Sequence, residues 1–256
     1  MRTIHNQENH QITFLDERYY THDNITFYPS VTTILDVYPK GFGFTQWLKD
    51  LGSNADEVVK RAADTGSKVH DMIDIYLSGE KISWVNEAGE TLYTLGEWLM
   101  FLKFVEFYNT YKPLIITHEE SLLDEELGFG GTLDLVCRIK NQTWLIDYKT
   151  GNGHYKSHEL QISAYRKLWN KINPKNQIER VGIFYLKSTT RGEDKSGKTI
   201  QGKGWKLYEP EQTFDYLDSL FQHTFAIWKE ENPEIKPKNE VYPDFAQIES
   251  KGKGGE

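Results

Sequence analysis

The stretch GTLDLVCRIKNQTWLIDYKTG, residues 131–151, decides how the rest of the chain is read. It has the look of two apolar β-strands joined by a short polar turn, yet it carries Asp134, Asp147 and Lys149. Charged groups are costly to bury without partners. An even-length turn around Asn141 and Gln142 sets 134 opposite 149, 136 opposite 147 and 138 opposite 145. Side chains alternate along a strand and cross-strand partners share a face. One face then carries Asp134, Val136, Arg138, Leu145, Asp147 and Lys149, and the other Leu133, Leu135, Cys137, Ile139, Trp144, Ile146 and Tyr148. The second set is a core face. The first gathers two carboxylates and an ammonium at one end, and neighbouring carboxylates repel unless something neutralises them. An Asp–Lys ion pair at a sheet edge is the plain explanation. A divalent metal site with a working lysine is the sharper one, because paired hard oxygen ligands suit Mg²⁺.

The bulk numbers place few obstacles in the way. A chain of 256 residues with 38% hydrophobic and 27% charged residues has enough length to bury a sizeable core, and is expected to form a single domain. No apolar run approaches the ~20 residues that cross a bilayer. The first residues, MRTIHNQENHQITFLDERYY, lack an apolar signal core, so a cytoplasmic protein is expected, in a bacterium or a phage-infected host cell. Cys137 is the single cysteine, which leaves no means to build an intramolecular disulfide or a cysteine-ligated iron–sulfur cluster. A net charge of −8 argues against bulk electrostatic coating of nucleic acid but is compatible with a local basic groove.

Periodicity gives the organisation. QITFL and NITFY read as short strands, and Ser30 as the cap of a short helix through VTTIL. Helical spacing runs over residues 54–78, with Val58, Ala62, Val69, Ile73 and Tyr76 on one stripe, and over residues 91–111. LIITHEESLL, GGTLDLVCRI, TWLIDYKT and RVGIFYLK are strand-like, with a helix over 156–170 between the last two. A strand in GWKLYE precedes a helix over 210–229. These elements predict an α/β fold, a central mixed β-sheet flanked by helices. Residues 1–112 form a largely helical N-terminal portion, 113–232 the sheet core and 233–256 a loose tail.

The sequence GTLD, then IDYKTG, then ELQISAY resembles the PD-(D/E)xK nuclease superfamily, specifically its RecB-type and phage-exonuclease branch. That branch is marked by GxxD, then DxK after an apolar residue, then QxxxY; here Gly131 and Asp134, Asp147 and Lys149, Gln161 and Tyr165. The resemblance covers roughly residues 60–170 and implies a restriction-endonuclease-like core. It further implies His70, in TGSKVHDMI, as a metal ligand beside Asp134, Asp147 and the Tyr148 carbonyl. Glu119 is the expected acid on the strand before GxxD, with Glu120 as the other register. Lys149 would act on the water or the phosphate. Gln161 and Tyr165, four apart and so on one helical face, would brace the site or touch DNA. The single cysteine departs from the iron–sulfur members, and no helicase portion is attached. A stand-alone phage-type exonuclease is therefore the nearest pattern.

Other candidates carry less. His154 and His158 lie i, i+4 without a third ligand, which suits a solvated or DNA-facing pair better than a metal site. GEDKSGKT, residues 192–199, matches the phosphate-loop pattern, but the glycines and proline that follow cannot form the helix that loop must open into. A hairpin tip is the better reading. Residues 187–206 hold six cations, among them Arg191, Lys195 and Lys198, against two acids, so this stretch is the expected backbone-phosphate contact. Phe101, Phe104 and Phe107 sit at core spacing with Trp98.

The combined expectation is a metal-dependent DNA exonuclease using one or two Mg²⁺ or Mn²⁺ ions and no iron–sulfur cluster. It would serve recombination, replication or repair of a phage or bacterial genome, on a linear duplex end or a single strand, with a recombinase or single-strand annealing protein as partner and no membrane. An endonuclease of the same superfamily and a silent DNA-binding module are the alternatives.

Overall fold

The computed structural model describes residues 4–6, 11–14, 17–23, 25–151, 153–187, 191–193, 199–201 and 205–236. The chain opens with an antiparallel meander, β1 (Ile4–Asn6), β2 (Gln11–Phe14), β3 (Glu17–Tyr20) and β4 (Tyr28–Pro29). Only the end of NITFY is strand. The Asp23 carboxylate accepts hydrogen bonds from the Ile25 and Thr26 amides and curls these two residues into a turn ahead of β4. Ser30 accepts from the Thr33 amide and starts α1 (Val31–Leu35). Helix α2 (Gly41–Leu51) and a short 3₁₀ turn lead into the long α3 (Ala55–Leu77). Helix α4 (Leu95–Tyr111) begins four residues later than periodicity predicts, because Thr94 and Glu97 close a reciprocal capping box there.

The central sheet follows: β5 (Leu114–Asp124), β6 (Phe129–Ile139), β7 (Gln142–Lys149), then α5 (Lys156–Ile172) and β8 (Arg180–Tyr185). A separate pair, β9 (Arg191–Glu193) and β10 (Thr199–Gln201), forms the base of the expected hairpin, whose tip lies outside the described residues. Strand β11 (Lys206–Tyr208) returns to the central sheet, and α6 (Phe214–Glu231), capped by Thr213, follows. The sheet order is β11-β8-β7-β6-β5. All pairs are antiparallel except β7 with β8, which α5 connects as a crossover.

Helices cover both faces. On one side Val136, Leu145, Val181 and Ile183 pack against Ile34 of α1, Leu168 of α5 and Phe221 of α6. On the other, Leu135, Cys137, Ile146, Tyr148 and Phe184 pack against Val69 and Ile73 of α3 and Phe101, Phe104 and Phe107 of α4. The face that bears the charges in the sequence is thus itself a core over most of its area. The phenylalanines of α4 are the keystones of the second layer, and Phe104 is fully enclosed between Tyr76, Tyr148 and Phe184. Phe104→Ala is expected to lower stability by about 3–5 kcal/mol. The check is a lower midpoint in urea unfolding at unchanged slope.

The β6–β7 hairpin corrects the sequence register. The turn residues are Lys140 and Asn141, both with left-handed backbone (φ 49° and 65°), as a two-residue type I′ turn demands. Val136 therefore faces Leu145 and Arg138 faces Thr143. The slip is two residues, so side-chain parity survives, and the same register carried one pair further would set Asp134 across from Asp147 rather than Lys149. Leu133 also departs from the reading: it joins the core on the α5 side, whereas Leu135 joins the α4 side. The alternation breaks at Asp134, beside Glu119 of β5, whose φ of 47° is rare for a non-glycine residue in a strand. Among the described residues no helix is long and apolar enough to cross a membrane.

Candidate active site

The edge of the sheet where β5, β6 and β7 meet α3 and α5 is cut by a cleft of about 530 Å³. Its lining includes His70, Glu119, Asp134, Asp147, Lys149 and Gln161. Helix α3 is anchored in the core by Val69, Met72 and Ile73, all buried, which turns His70 toward the sheet. Gly66, one turn earlier, lets the helix pass close to Thr150: a Cβ there would meet the threonine hydroxyl oxygen at 3.2 Å. The His70 Nδ1 lies 3.5 Å from Asp134 Oδ1 and 3.7 Å from Glu119 Oε1. One ligand atom from each of these three residues falls within 4.8 Å of the others. Of the two glutamates, Glu119, with its left-handed backbone, is the one whose carboxylate lies beside His70. Glu120 instead accepts from the Thr117 hydroxyl.

Asp134 is fixed from the second strand as well, its Oδ2 accepting from the Tyr148 amide at 2.6 Å. Asp147 is 1% exposed. Its Oδ1 accepts from Gln161 Nε2 at 3.1 Å, and its Oδ2 lies 2.8 Å from the Lys149 ammonium without receiving an aligned hydrogen bond. Gln161 also accepts from Lys149 at 2.9 Å and donates to the Tyr165 hydroxyl at 3.2 Å. Tyr165 in turn explains the glycine of GTLD. A Cβ on Gly131 would lie 2.3 Å from the Tyr165 ring, so only glycine lets α5 seat its glutamine against the carboxylate and the lysine. The three short sequence patterns are one mechanical chain, Gly131 to Tyr165 to Gln161 to Asp147 and Lys149.

Electrostatics show how unsettled this cluster is by itself. Burial works to lower the His70 pKa, but the Asp134 and Glu119 carboxylates outweigh it and raise it to about 10. Burial likewise pushes Asp134 up, yet the His70 imidazolium and the Lys149 ammonium hold its carboxyl below the usual range. Asp147 goes the other way. Burial, with Asp134 adding to it, lifts its carboxyl to about 6 against the pull of Lys149. Burial also raises Glu119. Three acids therefore share one imidazolium and one ammonium, and a buried carboxylate oxygen lacks a hydrogen bond. Carboxylate oxygens with one imidazole suit Mg²⁺ or Mn²⁺, so the donor set fits a divalent cation. A cation held by His70 and Asp147 would have to displace the His70 proton and, below about pH 6, the Asp147 proton. Its binding should weaken as pH falls. The rise in Tm produced by a fixed Mn²⁺ concentration is thus expected to be larger at pH 8 than at pH 6, and equal rises would count against His70 and Asp147 as the groups displaced.

Some sequence candidates land elsewhere. His154 and His158 share the Tyr185 hydroxyl, at 2.7 and 3.2 Å, and His154 also pairs with Glu159 at 2.8 Å. Burial, helped by Lys149 and His154, lowers His158 to about 3, so it lines the cleft as a neutral ring. The Arg191 side chain and the whole of Lys195 and Lys198 lie outside the described residues. Other groups escaped the sequence reading. Asp74 pairs with His118 at 2.5 Å beside Glu119, and Arg18 lines the same cleft. Their separations along the chain offered no spacing to read. Helix α2 was legible in principle, since Phe44, Trp47, Leu48 and Leu51 recur at helical intervals, but Pro39, Gly41 and Gly43 obscured it.

The family model of the PD-(D/E)XK nuclease superfamily matches residues 45–240. No curated protein matches the chain. The crystal structure of SSO0001 aligns over 52% of this chain and 59% of that one, at 14% identity and a TM-score of 0.28, a likeness too slight to build on.

Proposed function

The chain belongs to the PD-(D/E)XK nuclease superfamily, and from that premise we propose that it is a metal-dependent DNA exonuclease of the RecB-type and phage-exonuclease branch. The observation that carries the reading is the convergence of His70, Glu119, Asp134 and Asp147 on one cleft together with Lys149. His70, Glu119, Asp134 and Asp147, with the Tyr148 carbonyl, hold one or two Mg²⁺ or Mn²⁺ ions. A bound divalent cation supplies Lewis acidity toward phosphate oxygens and the attacking water. Lys149 presents its ammonium to the negative charge that develops on the phosphate as the P–O bond breaks. Gln161, held by Tyr165, keeps that ammonium and the Asp147 carboxylate in register. Arg191, Lys195 and Lys198 contact the backbone further along.

The cleft, of about 530 Å³, has room for a nucleotide or so of one strand. The reading extends to a cytoplasmic role in phage or bacterial recombination, replication or repair, with a recombinase or single-strand annealing partner. The test is end-labelled linear DNA beside a covalently closed circle, with Mn²⁺. The exonuclease reading expects loss of the linear substrate alone. Nicking or linearisation of the circle would make the protein an endonuclease.

A further inference from the structure

Helix α2 buries none of its residues, although it carries Phe42, Phe44 and Trp47. Phe42 is 82% exposed and Trp47 38% exposed. Across from it, Tyr155 at the start of α5 is 48% exposed, and its ring occupies the space left by Gly153, where a Cβ would approach it to 2.7 Å. Between the two runs a second cleft of about 950 Å³, lined among the described residues by Phe44, Trp47, Tyr155, Lys40, Arg61 and Lys187 and by no carboxylate. It shares Ala62, Thr150, Gly151 and Tyr155 with the acidic cleft that holds Asp134 and Asp147. A protein of net charge −8 thus places a chamber lined by cations and aromatic rings directly against its carboxylate cluster.

That combination selects among occupants. Aromatic faces beside cations, continuous with a nuclease site, match unpaired bases stacked on rings with phosphates along the rim. A duplex hides its base faces and could use only the cations. Two of the cations are engaged on the protein, Lys40 with Asp36 at 3.3 Å and Arg61 with Glu57 at 2.6 Å. Both are exposed pairs between residues four apart, which contribute little and exchange readily for a phosphate. We propose that the cleft between α2 and the β7–α5 connection is a single-stranded DNA channel, in which Trp47, Phe44 and Tyr155 stack bases and so deliver one unpaired strand to the cluster. The assignment rests on the nuclease reading for what happens next, but strand binding itself does not require metal.

The experiment is fluorescence anisotropy of a labelled single-stranded oligonucleotide and of the matching blunt duplex, in EDTA so that no hydrolysis occurs. The parent protein is expected to hold the single strand at least about tenfold more tightly than the duplex. Trp47→Ala and Tyr155→Ala should each weaken single-strand binding by about tenfold, the size of one base–aromatic stack, while Trp47→Phe restores most of it. Both rings are exposed, so melting temperatures should stay at the parent value and show that the loss is one of binding. Single-strand affinity unchanged in both alanine variants, or a preference for duplex, would overturn the proposal. Trp47-dependent binding by a protein that digests no DNA with Mn²⁺ would uphold the channel and remove the nuclease reading. Digestion with unaltered strand affinity in the variants would do the reverse.

Discussion

Asp134→Asn is expected to abolish Mn²⁺ binding and to lower DNA hydrolysis by at least about a thousandfold, since the lost Lewis acid contributes several kcal/mol to the barrier. The asparagine is chosen because the carboxylate also has a structural duty. Its Oδ2 accepts a hydrogen bond from the Tyr148 amide, and the amide oxygen of asparagine can keep that bond while the charge is removed. Loss of the charge also withdraws the main support of the His70 imidazolium, which burial already disfavours. In the metal-free parent that His70 proton stabilises the fold: its pKa of about 10 lies above the unfolded value, so the contribution is complete below about pH 6.5 and fades as pH rises toward 10. In Asp134→Asn this contribution should shrink, and the metal-free Tm should fall at neutral pH. A variant that kept both metal binding and hydrolysis would place the cation elsewhere.

Lys149→Ala should separate chemistry from metal binding. The ammonium sits 2.8 Å from Asp147 and holds Gln161 at 2.9 Å, but as a cation it cannot be a metal ligand. Its removal is expected to lower kcat by about 10²–10³-fold, the range for losing one preorganised charge donor. Mn²⁺ affinity should hold or tighten, because a positive neighbour has gone. A second signature follows from linkage. Lys149 pulls the Asp147 carboxyl down from where burial alone would put it, so in the variant Asp147 titrates above its present value of about 6. The acidic limb of the Mn²⁺-binding profile should therefore move to higher pH. Gln161→Leu offers a milder comparison. It cuts the link from Tyr165 to Asp147 and Lys149, and should reduce kcat while leaving both charges in place.

What the sequence disclosed and what it withheld follow a physical line. That Asp134 and Asp147 share a face was legible, because side-chain parity survives a register slip of two residues, although the sequence set Asp134 opposite Lys149. The slip itself was not legible: Lys140 sits in a left-handed turn position normally marked by glycine or asparagine. The sandwich of helices about a mixed sheet could be read from periodicity, and so could the phenylalanine stripe of α4. The closeness of His70 to Glu119 could not, since it depends on how α3 crosses the sheet and on the left-handed backbone at Glu119. Gly131 shows the same division. Its presence is visible in GTLD, but the reason for it, the Tyr165 ring on α5, appears only in three dimensions.

The decisive measurement is a time course on end-labelled linear DNA with Mn²⁺, for the parent and Lys149→Ala side by side and with EDTA as control. A metal-dependent nuclease that works through Lys149 should release label rapidly as the parent, not at all in EDTA, and about 10²–10³-fold more slowly in the variant at equal bound metal. Equal rates for parent and variant, or parent digestion that persists in EDTA, would contradict that mechanism.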